Sequence, residues 1–444
     1  MSEITTIMSA LSGGTWNFLS FIIALSVIVA VHEYGHYIVG RWCGIHAEVF
    51  SVGFGSVLFS RLDKHGTRWQ IAALPFGGYV RFKGDANVAS GPKMAILSEM
   101  DARELRSTLN GAPVWARALT AAAGPIFNFG LTAIIYCALF MWQGQYLDNL
   151  KIAAIFDLPG DHQLRVGDEI TALEGVPVAN FQDLLKAGVD LTAPLDYTII
   201  RDGSQRVVLG PVTFPALIGQ VAPRSAAIEA GLKSGDVVTH VNDETIADFT
   251  ELQRQVGLAN DQELQLTVWR AGEVFSTTLT PKAVAIPNAD GGFDNRRLIG
   301  ITGEITFFVP ETEPLGFVTA ITAATVRVWV IIKTSLVGIV QIISAKISVC
   351  NLSGPVAIAE TAGQMASQGT MPFIALIAGL STAVGLMNLF PIPILDGGHL
   401  VFCAYEAVAR RKPNERAVQI LMTFGLGFVL FFTIFAMVVN FNCA

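Results

Sequence analysis

The chain has 444 residues, of which 52% are hydrophobic and 15% charged, against about 25% charged in an ordinary soluble domain. Mean hydropathy is +0.51, which excludes a wholly soluble protein. A net charge of −7 supplies no basic face and argues against nucleic acid as a partner.

Phe18–Val39 is the first apolar run long enough to cross a bilayer. Within it, VIVAVHEYGHYIV (27–39) carries His32, Glu33 and His36. Ionisable groups at membrane depth are costly and mark function. No Lys or Arg precedes Arg41, so the basic start of a signal peptide is missing. Arg41, Arg61, Lys64, Arg68, Arg81 and Lys83 follow the run, which places them in the cytoplasm and the N-terminus outside. Residues 1–48 therefore form the first membrane segment. In 49–113, the β-type runs VFSVGFGSVLF and RWQIAALPFGGYVRF flank a polar DKHG turn and predict hairpins. Val114–Trp142, in 114–144, is the second span and returns the chain outside.

Residues 145–309 read as β-rich soluble sequence and repeat themselves. VGDEITALEGVPVANFQDL from Val166 and SGDVVTHVNDETIADFTEL from Ser234 align without a gap at an offset of 68. One repeat of this length predicts a pair of domains, at 145–215 and 216–309, rather than a solenoid. The second copy, with APRSAAIEAGLKSGD before its Gly-Asp, resembles a PDZ domain. The first is a shorter, degenerate PDZ-like unit. RLIGITGEI (Arg297–Ile305) at the end of the second copy fits a circularly permuted form. Such units bind peptide ligands by strand addition, or act here as a plain steric filter.

Leu315–Ile347, within 310–370, is apolar but carries Arg327, Lys333 and Lys346. It is expected to lie on the outer leaflet, since a fifth crossing would put the Arg410–Arg416 cluster outside. Residues 371–409 form the third span and Val418–Val439, in 410–444, the fourth. The expectation is thus a polytopic α-helical membrane protein with four transmembrane helices, two PDZ-like β-rich domains and a membrane-associated β-hairpin region. The five cysteines form no CxxC pair, and a bridge between Cys350 and Cys443 stays open.

His32-Glu33-Tyr34-Gly35-His36 is an H-E-x-x-H pattern. Residues i and i+4 share one helix face, so two imidazoles can meet one zinc ion with Glu33 beside them as general base. A catalytic zinc takes three protein ligands, and the third must be ionisable at membrane depth. Asp396 in NLFPIPILDGGH (Asn388–His399) qualifies, just after Pro391 and Pro393 break the helix. His399 is its rival.

HEYGH, AAGPIFN (Ala122–Asn128), NLSGP (Asn351–Pro355) and NLFPIPILDGG together resemble the site-2 protease family of intramembrane zinc metalloproteases. The resemblance covers nearly the whole chain and departs mainly in the shortened first PDZ-like unit. It implies that His32, His36 and Asp396 bind zinc, that Glu33 is the base, and that Asn388 hydrogen-bonds the substrate backbone. It makes Val49–Phe82 membrane-re-entrant hairpins, the alternative being a plain cytoplasmic hairpin. It also implies substrates that are single-span membrane proteins already trimmed by another protease, of the anti-sigma-factor or signal-peptide-remnant type. Membrane lipid is then the surrounding partner, and the location is the bacterial inner membrane with both termini periplasmic. The rival readings are an ion or proton transporter, whose inverted repeats are absent, and a PDZ scaffold with an inert metal site.

Overall fold

A computed structural model describes residues 2–84, 101–147, 149–186, 193–259, 262–287, 293–304, 306–344, 346–347, 349 and 353–442. Cys350 and Cys443 lie outside the described residues, as do Asn351 and Leu352 of NLSGP. The chain forms two compact units. One comprises Met1–Ala138, Ala320–Ile343 and Leu352–Ala444, the other Leu139–Thr319 and Ser344–Asn351.

The first unit opens with helix α1 (Ser2–Trp42), which runs into strands β1 (Ala47–Leu62) and β2 (Arg68–Phe82). These long strands bend back on themselves. Phe59, Ser60 and Arg61 pair with Ile71, Gln70 and Trp69, while Phe50 and Ser51 pair with Trp69 and Gln70 on one side and with Val80 and Tyr79 on the other. The bends fall where Gly53 and Gly55 take φ of +92° and +84°, a region that residues with a Cβ avoid. Gly78–Phe82 forms one edge of this small sheet, and Phe54–Leu62, with exposed Phe54, Val57, Leu58 and Phe59, forms the other.

The sheet is tied to α1 beside the histidines. Tyr37, one residue past His36 and 2% exposed, packs with Ile45, Ala47, Phe50 and Phe82. Its hydroxyl donates to Asp63 Oδ2 at 3.0 Å, and Trp69 Nε1 donates to the same oxygen at 3.2 Å. Asp63 Oδ1 accepts from the backbone N–H of His65 (2.8 Å) and Thr67 (2.9 Å). Desolvation acts to raise the Asp63 carboxyl, but these four donors outweigh it and hold it at about 2. A depressed carboxyl contributes stability above its unfolded value of 3.8 and loses it as pH falls through its folded value. Asp63→Asn is therefore expected to lower Tm in detergent at pH 7, with the difference from wild type closing between pH 4 and pH 2. A gap independent of pH would show that the charge is not what holds the turn.

A short helix, α2 (Ala102–Arg106), precedes α3 (Val114–Gln143). The second unit then begins with β3 (Gln145–Tyr146), β4 (Leu150–Ile155), β5 (Glu169–Leu173), β6 (Val176–Pro177), α4 (Phe181–Lys186), β7 (Leu195–Arg201) and β8 (Ser204–Gly210). The next copy follows as β9 (Ile218–Val221), α5 (Ala226–Glu229), β10 (Val237–Val241), β11 (Glu244–Thr245), α6 (Phe249–Leu258), β12 (Leu264–Arg270) and β13 (Glu273–Leu279). Strands β14 (Lys282–Pro287), β15 (Phe293–Leu298), β16 (Ile301–Gly303), β17 (Phe308–Pro310) and β18 (Thr312–Glu313) complete it.

Each copy has its own apolar core. The repeat persists atom by atom. Asp168 takes a bidentate guanidinium from Arg201 at 2.7 Å, and Asp236 takes one from Arg270 at 2.6 and 2.7 Å. The same two arginines also donate to the carbonyls of Gln163 and Gly231. The backbone N–H groups of Arg165 and Lys233 complete the two carboxylates at 2.7 and 2.8 Å. A charge this deeply buried needs such full pairing. One boundary differs from the sequence reading. Phe307 and Phe308 belong to the first copy's core, and β17 pairs with β4, so the second copy is inserted into the first.

Helices α7 (Phe317–Ile343), α8 (Pro355–Gln368), α9 (Thr370–Asn388), α10 (Asp396–Ala409) and α11 (Glu415–Asn442) follow. Among the described residues, five helices are long and apolar enough to cross a membrane: Gly14–Trp42, Val114–Gln143, Phe317–Ile343, Thr370–Asn388 and Glu415–Val439. The segment assigned from sequence to the outer leaflet is thus a 27-residue helix whose length also suits a crossing. The expected third span, 371–409, is two helices rather than one. A single helix over those residues would be about 58 Å long, about twice the hydrocarbon thickness. Pro391 and Pro393 lack the N–H a continuing helix needs, and the chain turns between α9 and α10.

Candidate metal centre

His32 and His36 lie one turn apart on α1, and Asp396 is the first residue of α10. Their facing atoms form a triangle. His32 Nε2 and His36 Nε2 are 3.2 Å apart, and Asp396 Oδ2 stands 3.1 Å from the first and 3.4 Å from the second. Ligand atoms about 2.0–2.1 Å from a tetrahedral zinc stand about 3.3 Å apart. The triangle therefore has the size of one face of such a site. His399, the rival ligand, is exposed and outside this group.

The protons support the same conclusion. His36 Nδ1 lies 2.8 Å from the Thr120 carbonyl, which can only accept, so Nδ1 carries the hydrogen and the neutral ring turns a lone pair inward at Nε2. Asp396 Oδ2 is buried without a hydrogen-bond partner despite its nearness to both rings. Three metal-binding atoms crowded at one buried point suit a cation, toward which each can turn a lone pair. The donor set, two imidazoles and a carboxylate, is one that zinc accepts.

Close backbone approach creates the centre. Helices α1 and α3 meet at glycines on both sides. A Cβ at Gly35 would lie 2.7 Å from the Ala123 carbonyl oxygen, and one at Gly124 would collide with His36 Nε2 and come within 2.7 Å of His32 Cε1. Helix α3 is fixed to α9 by buried hydroxyls: Thr132 Oγ1 donates to the Ala378 carbonyl at 2.8 Å and Ser381 Oγ to the Asn128 carbonyl at 3.0 Å. Asp396 is set by the turn before α10, where Gly397 and Gly398 pack on the backbone of Leu389, Phe390 and Ile392 too tightly for any Cβ. An ion pair of 2.7 Å between Arg117 and Glu406, both largely buried, ties α10 to α3.

Glu33 follows His32 and faces the sheet edge. The Val80 backbone donates to its carboxylate. A Cβ at Gly78 would approach Glu33 Cγ to 3.0 Å, so this edge strand lies directly against the carboxylate. Asn388 is the half-buried last residue of α9, ahead of the turn that delivers Asp396. The pattern H-E-x-x-H pointed to the residues on α1. It was silent on Gly124, Thr120, Asn128, Gly78 and Val80, although AAGPIFN already contained two of them.

A sequence profile of peptidase family M50 matches residues 20–432. The chain belongs to peptidase family M50. A protein of Agrobacterium fabrum, provisionally named a zinc metalloprotease, is 33% identical over 98% of this chain and 97% of its own length. A Brucella suis protein with a similar provisional name is 33% identical over 94% and 95%. The regulator of sigma-E protease RseP of Salmonella typhimurium is 29% identical over 94% and 98%. This M50 peptidase is a zinc metalloprotease and a multi-pass membrane protein.

Proposed function

We propose that this M50 peptidase cleaves transmembrane segments of single-span proteins already trimmed by another protease, with His32, His36 and Asp396 holding zinc and Glu33 carrying the proton. The observation that supports it best is the triangle of metal-binding atoms, two imidazole nitrogens and a carboxylate oxygen within 3.1–3.4 Å of one another, with a second carboxylate beside it. When bound, zinc supplies a Lewis acid that makes its water a nucleophile near neutral pH. Glu33 takes a proton from the attacking water and delivers it to the leaving amine as the peptide C–N bond breaks. The Val80 N–H orients its carboxylate for both transfers.

A helical substrate hides its carbonyls in its own hydrogen bonds and must unwind before attack. In lipid the freed groups need partners, each otherwise costing several kcal/mol. The edge strand Gly78–Phe82, beside Glu33, is suited to supply them by strand addition. Asn388 is assigned to the substrate backbone. The two β-rich copies are read as PDZ-like units that select trimmed substrates, of the anti-sigma-factor or signal-peptide-remnant kind. The location is the bacterial inner membrane with both termini periplasmic.

The test uses purified full-length chain in detergent and a single-span substrate with and without its outer domain. Cleavage within the span is expected for the trimmed form, lost on chelation and restored by one equivalent of zinc. Cleavage that survives complete zinc removal would refute the assignment, and equal cleavage of the untrimmed form would refute the selection role.

A further inference from the structure

Asn128 is fully buried in α3, and its Nδ2 lies 3.2 Å from His32 Nδ1. Its own Oδ1 is buried with no hydrogen-bond partner. On the opposite side of the same imidazole, Asp396 Oδ2 is also buried without one. Two unsatisfied oxygens thus flank one ring, and such groups are rare enough to require a cause.

In this orientation the amide donates to Nδ1, which leaves the His32 proton on Nε2. That proton would point into the triangle, where it can bond only His36 Nε2 at 3.2 Å, occupying the atom that the same centre needs for the metal, while Asp396 Oδ2, 3.1 Å away, receives no hydrogen bond. The two ends of an amide are told apart only by their partners. Turning it over sacrifices no bond at Oδ1, because Oδ1 makes none. The oxygen then accepts from His32 Nδ1–H, and Nε2 presents a lone pair. His32 thereby matches His36, whose Nδ1 donates to the Thr120 carbonyl. One helix then fixes the tautomer of both histidines.

We propose that Asn128 is a positioning residue for the metal centre: its side-chain oxygen accepts the Nδ1 proton of His32 and so commits Nε2 to zinc. This rests on the reading that His32 is a zinc ligand. Groups of this kind orient a ligating imidazole and raise its basicity, and losing one costs typically about 10–100-fold in metal affinity. The Asn128 carbonyl, held by Ser381, keeps the residue in place.

The experiment measures zinc affinity of the full-length chain in detergent by competition with a chelator, and the absorption bands of the cobalt-substituted protein. Asn128→Leu, of similar size with no acceptor, is expected to weaken zinc binding about 10–100-fold and to shift the cobalt bands. Asn128→Asp keeps an acceptor and should remain within a few-fold of wild type. Wild-type affinity in Asn128→Leu would overturn the proposal. So would an Asn128→Asp variant as weak as Asn128→Leu, since the amide would then be acting as donor. Should the leucine variant not fold, ¹⁵N shifts of the His32 ring in the unsubstituted chain decide the matter: a proton on Nδ1 supports the proposal and one on Nε2 refutes it. Undiminished zinc binding by His32→Ala would instead sink the underlying ligand assignment.

Discussion

Glu33→Gln should keep its zinc, fold as wild type does, and lose about 10²–10⁴-fold in cleavage rate, the range associated with a positioned acid–base group. The expectation follows from what glutamine preserves. It has the length of glutamate, its side-chain oxygen can still accept from the Val80 N–H, and it fits the narrow space left by Gly78. The triangle of His32, His36 and Asp396, which is proposed to hold the metal, does not include it. Only the capacity to take up a proton disappears. The measurement is zinc per chain together with single-turnover cleavage of a trimmed single-span substrate. A variant cleaving within about threefold of wild type would remove Glu33 from the chemistry, because acid–base catalysis by this residue implies a larger effect. A variant that also lost zinc would show that Glu33 shapes the centre as well.

Much of the candidate centre was legible because the residues that meet there follow local spacing. His32, Glu33 and His36 are one helical turn, and a turn can be read from five letters. Asp396 needed a longer inference, from membrane depth and a proline-broken helix, and the structure brings it to the two histidines. What escaped were groups whose role exists only between helices. Thr120 acts through a backbone carbonyl that any residue possesses. Gly124 acts by lacking a side chain. Asn128 touches His32 across 96 positions of sequence. The same limit applies to the fold. The β-rich repeat was visible as matched Gly-Asp pairs, but its closure by Phe307 and Phe308 was not, since that strand returns to β4 after the whole second copy. The buried Asp168–Arg201 and Asp236–Arg270 pairs were equally hidden, because neither arginine lies within the aligned stretch.

Gly124→Ala tests whether the metal centre depends on that close approach of helices. In most helices the change is favourable, by roughly 0.5–1 kcal/mol, because alanine loses less backbone entropy. Here the added methyl would meet His36 Nε2 and His32 Cε1. A side-chain tip normally yields to such a contact at little cost. This one cannot, since His36 is held at Nδ1 by the Thr120 carbonyl of the same helix and Nε2 faces His32 Nε2 and Asp396 Oδ2, the proposed metal position. Relief requires either turning the imidazole out of the triangle or moving α3 away from α1. The second is opposed at Gly385, where α9 already packs against Pro125 and Asn128 of α3. The expected result is a folded chain with less than about one tenth of wild-type zinc and no measurable cleavage, given that one misplaced ligand dismantles a three-ligand site. Gly130→Ala, on the same helix with nothing within 4 Å of its Cβ position, is the matched control and should keep zinc and activity. Elemental analysis of both proteins at equal purity decides it. Full zinc in Gly124→Ala would mean that the helices separate at no cost to the ligands, and the tight crossing would then lose its assigned purpose.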